Sequence, residues 1–133
     1  MDRVFLDANV LFSAAYRTES PLRQLFALKK VQPVTSHYAF DEATRNLMTP
    51  DQQHALAQLR VHLELVPDAL VDESSAVLAG LPENDRPILW GAITGGATHL
   101  LSGDFKAFGK LYGSTVEGVL ILPPAEYLTQ HRR

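Results

Sequence analysis

Short strand-like runs alternate with stretches of helical spacing along this chain, and that alternation constrains its fold more than any other feature. Val4-Phe5-Leu6, Pro33-Val34-Thr35-Ser36, Leu65-Val66-Pro67, His99-Leu100-Leu101-Ser102 and Val119-Leu120-Ile121-Leu122 read as strands. Helical spacing marks 10–15, 38–48, 52–62 and 74–81, with Asn9 as the cap of the first. Ser20-Pro21 reads as a cap and first helical residue, followed by Leu22, Leu25, Phe26 and Lys29 at helical spacing. Thr49-Pro50-Asp51 is a break. Asn84-Asp85-Arg86-Pro87 opens a helix with Ile88, Leu89, Ala92 and Ile93 on its buried face, and Gly95-Gly96 end it. Pro123-Pro124 opens a last helix. Such a pattern predicts an α/β fold whose parallel sheet is covered by helices on both faces, in three α/β/α layers.

The 133 residues suit one domain, spanning 1–133, and show no repeat or linker. No apolar run approaches the length of a membrane span, so no membrane partner is expected. Met1-Asp2-Arg3-Val4 enters the pattern at once, and no signal peptide is expected. The absence of cysteine excludes disulfides and thiolate metal sites and makes a cytoplasmic protein the simplest expectation. The net charge of −3 argues against a general nucleic-acid binder. If four carboxylates hold metal, the remaining surface is near neutral, and bound cations become the main positive charge facing a phosphate.

Two acids share one grammar. Asp7 follows Val4-Phe5-Leu6, and Asp104 follows Leu100-Leu101-Ser102-Gly103. Both fall just beyond the C-terminal end of a buried strand, where open α/β sheets place their ligands. Asp85 starts the helix that leads to the strand before Asp104, and Glu42 lies in the helix after the second strand. Four segments can thus bring carboxylates to one edge. Such a cluster suits Mg²⁺ or Mn²⁺, hard cations that take oxygen ligands and can activate water against a phosphodiester. Glu42 is preferred to Asp41 because Ala39, Ala43 and Leu47 mark the apolar face nearer to it. Asp41 has Arg45 at an ion-pair spacing on the surface. Each acid has a blander use: Asp7 and Asp104 as turn residues, Asp85 as a helix cap, Glu42 as a solvated helix residue.

In order along the chain, Val4-Phe5-Leu6-Asp7-Ala8-Asn9-Val10-Leu11, Asp41-Glu42-Ala43-Thr44-Arg45-Asn46-Leu47, Asp85-Arg86-Pro87-Ile88-Leu89 and Leu100-Leu101-Ser102-Gly103-Asp104 resemble the four acidic motifs of PIN domains. Gly118 to Pro123 and Glu126-Tyr127-Leu128 look like the family's closing strand and helix. The resemblance implies a five-stranded parallel sheet and Mg²⁺- or Mn²⁺-dependent endonuclease action on RNA. Water would attack the phosphate in line, and the cut would leave a 5′ phosphate. It also implies polar neighbours for the acids: Asn9, Ser13 and Ser102. Arg45, Arg86 and Lys106 are the basic residues expected to hold the RNA backbone. Many bacterial members are toxins neutralised by an antitoxin protein, and the sequence leaves that role open.

Other readings have less support. A haloacid-dehalogenase-type phosphatase wants Asp where Asn9 stands, and a receiver domain wants an acidic pair and a lysine that are not in place. No Gly-rich phosphate loop follows the first strand. The non-enzymatic alternative is a catalytically inactive PIN fold that binds RNA or protein. His37, His54, His62, His99 and His131 show no metal-ligand spacing, and 131–133 reads as a frayed tail. Lys106 and Lys110 have a solvated face as their blander use. Apolar residues at 22–28 and 56–63 are expected in the core, with a homodimer or partner groove as their alternative use.

Overall fold

The computed structural model describes residues 1–131. Its elements are β1 (Asp2–Leu6), α1 (Ala8–Tyr16), β2 (Val31–Ser36), α2 (His37–Asn46), α3 (Pro50–Leu59), β3 (Glu64–Val66), α4 (Arg86–Thr94), β4 (His99–Leu101), α5 (Phe105–Phe108), β5 (Thr115–Val116), β6 (Val119–Leu122) and α6 (Pro124–His131). Across the described residues six strands form one sheet in the order β3-β2-β1-β4-β6-β5. The first five of these run parallel, as expected. β5 is an addition: it pairs antiparallel with β6. Glu117 and Gly118, both with positive φ, form the two-residue turn between them, a conformation that suits a tight hairpin.

The sheet is buried on both sides, which explains its uninterrupted apolar strands. Val4, Phe5, Leu6, Leu100, Leu101 and Ile121 have almost no exposure. α1 packs against α2 and α3, while α4 lies over β2 and β4. Leu25 and Leu56 are in the core, and Leu22, Phe26, Leu28 and Leu63 pack against it, as expected, while Val61 in the second stretch is exposed. No described helix is long and apolar enough to cross a membrane.

Several local expectations change. The cap of α1 is Asp7, whose Oδ1 accepts the Ala8 N–H at 2.7 Å; Asn9 lies inside the first turn. Pro21–Phe26 is a tight 3₁₀ helix capped by Ser20, and it stops before Lys29. Thr49 does more than break the chain, since it caps α3 reciprocally with Gln52. The helix expected over 74–81 is only a single turn, Ala76–Leu78. Asp72 captures both the Ser74 N–H and its hydroxyl, offering the backbone a local turn where that helix would begin. Burial of Leu78 and Leu81 then holds the segment without regular structure.

His131 is not frayed. Its ring stacks on Tyr127 with centroids 3.9 Å apart, and Nε2 stands 3.3 Å from the Asp2 carboxylate. Arg132 and Arg133, the rest of that expected tail, lie outside the described residues.

Candidate active site

Sheet order explains where the acids meet. From β1 the chain moves to β2 and β3 on one side, then returns to place β4 and β6 on the other. The C-terminal ends of β1 and β4 therefore flank the point where strand order reverses, the crevice that open α/β sheets use for ligands. The Asp7 N–H donates to the Leu101 carbonyl at 3.0 Å, and the Ser102 N–H to the Leu122 carbonyl at 3.2 Å. Thus Asp7 and Ser102 end adjacent strands side by side.

A dense hydrogen-bond knot joins these two ends. The Ser102 hydroxyl donates to Asp7 Oδ2 at 2.7 Å, and Asn9 Nδ2 donates to the same oxygen at 3.0 Å. Ser102 Oγ also accepts the Asp104 N–H at 3.1 Å. Asn9 Oδ1 accepts the Gly103 N–H at 2.7 Å, so this amide clasps the loop between β4 and α5. Asp104 caps α5 by accepting the Ala107 N–H at 3.1 Å. Asp7 is 4% exposed, and Ser102 is fully buried.

Asp85 and Glu42 face this knot with less support. Asp85 holds the capping position of α4, yet its side chain makes no capping bond, which removes its blander explanation. Glu42 is half-buried on α2, below the apolar face formed by the fully buried Ala39, Ala43 and Leu47. Asp41 points to solvent, and no Asp41–Arg45 ion pair forms among the described residues.

Electrostatics place the four acids in one field. Burial is the main cause that raises Asp7 to about 6; Ser102 and the Ala8 amide oppose the shift, while Asp85 and Glu42 add to it. Burial also raises Asp85, followed by repulsion from Asp104 and Glu42. Two tyrosines sit in the same field, and neither was anticipated from the sequence. Tyr38 is raised by burial and then by Glu42, Asp85 and Asp7, with Arg45 opposing. Its hydroxyl donates to the Asn84 carbonyl at 3.1 Å. Tyr112 is raised by burial, Asp104 and Asp7, and its hydroxyl donates to the Ser102 carbonyl at 2.7 Å. Tyr38 carried a signal, because it precedes Glu42 by one helical turn. Tyr112 carried none.

Other expected residues are not brought into this network. Ser13 is exposed and lines a separate groove with Phe12, Tyr16 and Ser20. Arg86 is engaged elsewhere: Nε donates to the Leu81 carbonyl at 3.1 Å, and the guanidinium pairs with Glu73 at 2.8 Å. It holds the 67–82 segment against α4 instead of offering its charge to the crevice. Lys106 lines a hollow with Lys110 and the backbone at 79–81, a short distance along α5 from the acids. Of the three expected cations, Arg45 has a charge that reaches Tyr38 in this field.

Could these residues hold a metal? All donors are oxygens, and repulsion among them is relieved by a cation. Among the described residues no group of three His, Asp or Glu side chains is close enough to enclose an ion by itself. Oxygen donors of this kind suit a hard cation such as Mg²⁺ or Mn²⁺, which completes its coordination shell with water.

The family model for the PIN domain matches residues 3–106. The chain belongs to the PIN-domain family. PIN domains are generally nucleases. Two solved structures share the architecture of this PIN domain. VapBC2 from Rickettsia felis, bound to a DNA fragment from its promoter, aligns with a TM-score of 0.67 and 17% identity, over 91% of this chain and 98% of that one. PAE2754 from Pyrobaculum aerophilum aligns with a TM-score of 0.64 and 17% identity, over 98% of this chain and 90% of that one. At such identity the likeness shows the fold. No curated protein matches the chain significantly.

Proposed function

We propose that this PIN domain is a metal-dependent endoribonuclease that hydrolyses RNA phosphodiester bonds in the cytoplasm, with Asp7, Glu42, Asp85 and Asp104 as its acidic site. The observation that carries the proposal is the buried Asp7 at the sheet's reversal point, raised by burial and by two acids from other segments. A carboxylate kept there against both costs has a use beyond folding.

A bound Mg²⁺ or Mn²⁺ would supply activation of water and neutralisation of charge building on the phosphate. The chain's own residues supply orientation. Ser102 and Asn9 fix both the plane and the position of the Asp7 carboxylate, and Asn9 holds the loop that presents Asp104. Asp85 and Glu42 add their negative charge to the field at Asp7. Arg45 at the mouth would meet the RNA backbone.

Cleavage of single-stranded RNA by the purified chain tests the proposal. Activity should appear with Mn²⁺ or Mg²⁺, vanish with chelator, and fall on the order of a thousandfold in Asp7→Asn. Unchanged cleavage in Asp7→Asn, with the fold retained, would discard this site. Metal-independent binding without cleavage would favour the inactive module.

The likeness to Rickettsia felis VapBC2 supports a finer proposal, that the chain is the toxin of a type II pair. A small antitoxin encoded beside the gene should then co-purify untagged and suppress cleavage.

A further inference from the structure

Phe105 follows Asp104 directly and opens α5, yet it is 74% exposed. A phenyl ring so placed contributes little to the core. Its position is nevertheless defined. The ring lies across Gly109, where an added Cβ would stand 2.8 Å from Cδ2 and 2.9 Å from Cε2. Glycine at that point lets the ring rest against the chain. On its other flank is Tyr112, with ring centroids 6.4 Å apart and planes inclined at 52°. Tyr112 is tied by its hydroxyl to the Ser102 carbonyl, and the charges of Asp104 and Asp7 reach it. Acids, Tyr112 and Phe105 thus follow one another outward from the crevice.

The same short segment carries Lys106 and Lys110, both exposed and lining one hollow. An open aromatic face beside paired lysines is the combination that binds single-stranded nucleic acid: cations follow the phosphates, and the ring stacks on a base. Bases within a duplex are stacked on each other and cannot reach such a face.

We infer that Phe105, backed by Gly109 and flanked by Tyr112, is a stacking platform for an unpaired base beside the scissile phosphate, with Lys106 and Lys110 holding the backbone that continues from it. The inference rests on the endoribonuclease reading for its scissile phosphate, but the platform itself concerns binding.

The test uses a short mixed-sequence single-stranded oligoribonucleotide, its duplex, and a version carrying one abasic site at successive positions. Binding is measured in chelator, and cleavage with Mn²⁺. Phe105→Ala should weaken single-strand binding by about 5- to 100-fold, the loss of one base stack. Phe105→Trp should retain the affinity, and Phe105→Leu should not. Duplex binding should be unaffected. In cleavage, KM should rise more than kcat falls. Wild-type and Phe105→Ala proteins should bind alike when the abasic site falls at the stacked position. Gly109→Ala, which displaces the ring without removing it, should give a smaller loss in the same direction. Thermal melts that match wild type exclude misfolding.

Equal single-strand binding by wild type and Phe105→Ala would overturn the platform, while Asp7-dependent cleavage would leave the nuclease reading standing. Phe105-dependent binding without any cleavage would support the platform and sink the nuclease. Normal RNA binding by Phe105→Ala, with loss of a co-purifying antitoxin, would overturn the platform in favour of a protein contact.

Discussion

The two sides of the crevice are built differently. On the Asp7 side, Asp7, Asn9, Ser102, Gly103 and Asp104 are bound to one another, and the central carboxylate accepts bonds from three donors. On the Glu42 and Asp85 side, neither carboxylate makes a hydrogen bond among the described residues, and each is partly open to water. The first side carries the cost of a buried charge and needs a scaffold to keep it. The second carries little cost and can adjust its reach. Preorganisation is therefore concentrated at one acid, and variants on the two sides should behave differently.

Asp7→Asn should divide stability from activity most sharply. The folded-state value of about 6 lies above the ordinary 3.8, so the folded protein favours the protonated acid. Stability on this account is highest below about pH 4, declines as pH rises, and is lowest above about pH 6, where the buried charge is fully formed. Removing the charge should stabilise the metal-free protein at pH 7 by about 1–3 kcal/mol. Melts in chelator should show the gain at neutral pH and its disappearance near pH 4, while cleavage is lost throughout. Destabilisation at pH 7 would mean that the bonds to Ser102 and Ala8 outweigh burial.

Ser102→Ala should damage both properties. It leaves Asn9 and the Ala8 amide to satisfy Asp7 and frees the Asp104 N–H, at a cost of about 1–3 kcal/mol. It also removes a bond that lowers Asp7, so the acid limb of the cleavage profile should move to higher pH. The loss in kcat should be about 10- to 100-fold, as for other residues that orient a metal-binding carboxylate.

Glu42→Gln sharpens the comparison from the open side. Metal affinity measured by Mn²⁺ titration should fall by about tenfold, with little change in melting. Asp41→Asn, one position away and facing solvent, should change neither. Equal effects of the two would remove Glu42 from the site. Smallest is Arg86→Ala, which releases the Leu81 carbonyl and Glu73. Stability should fall by about 1 kcal/mol, hydrogen exchange over 67–82 should quicken, and KM for RNA should stay constant. A raised KM would return Arg86 to the RNA-binding surface.

The architecture was readable because its signals are local. Val4 to Leu6 and Leu100-Leu101 are buried on both faces, so each shows as an unbroken apolar run, and the acids after them stand out. Ala39, Ala43 and Leu47 oriented α2 in the same way. Long-range contacts hid the remainder. Asp7 replaced Asn9 as the cap because Asn9 is drawn to Gly103, a residue distant in sequence. The 67–82 segment depends on Asp72, Asp68 and Arg86 making bonds that no periodicity announces. Tyr112 reaches Ser102 only because the chain turns back through α5 and the 3₁₀ turn Gly109–Leu111, each too short to register as a helical pattern.

The placement of β1 between β2 and β4 also bears on biosynthesis. The edge of β1 that receives β4 stays unpaired until His99–Leu101 has been made, and the bond from Ser102 to Asp7 spans 95 residues. Contacts of such separation form late and slowly. A nascent chain therefore carries Asp7 long before Ser102 exists, and the knot that fixes this carboxylate can close only after 95 further residues have been added.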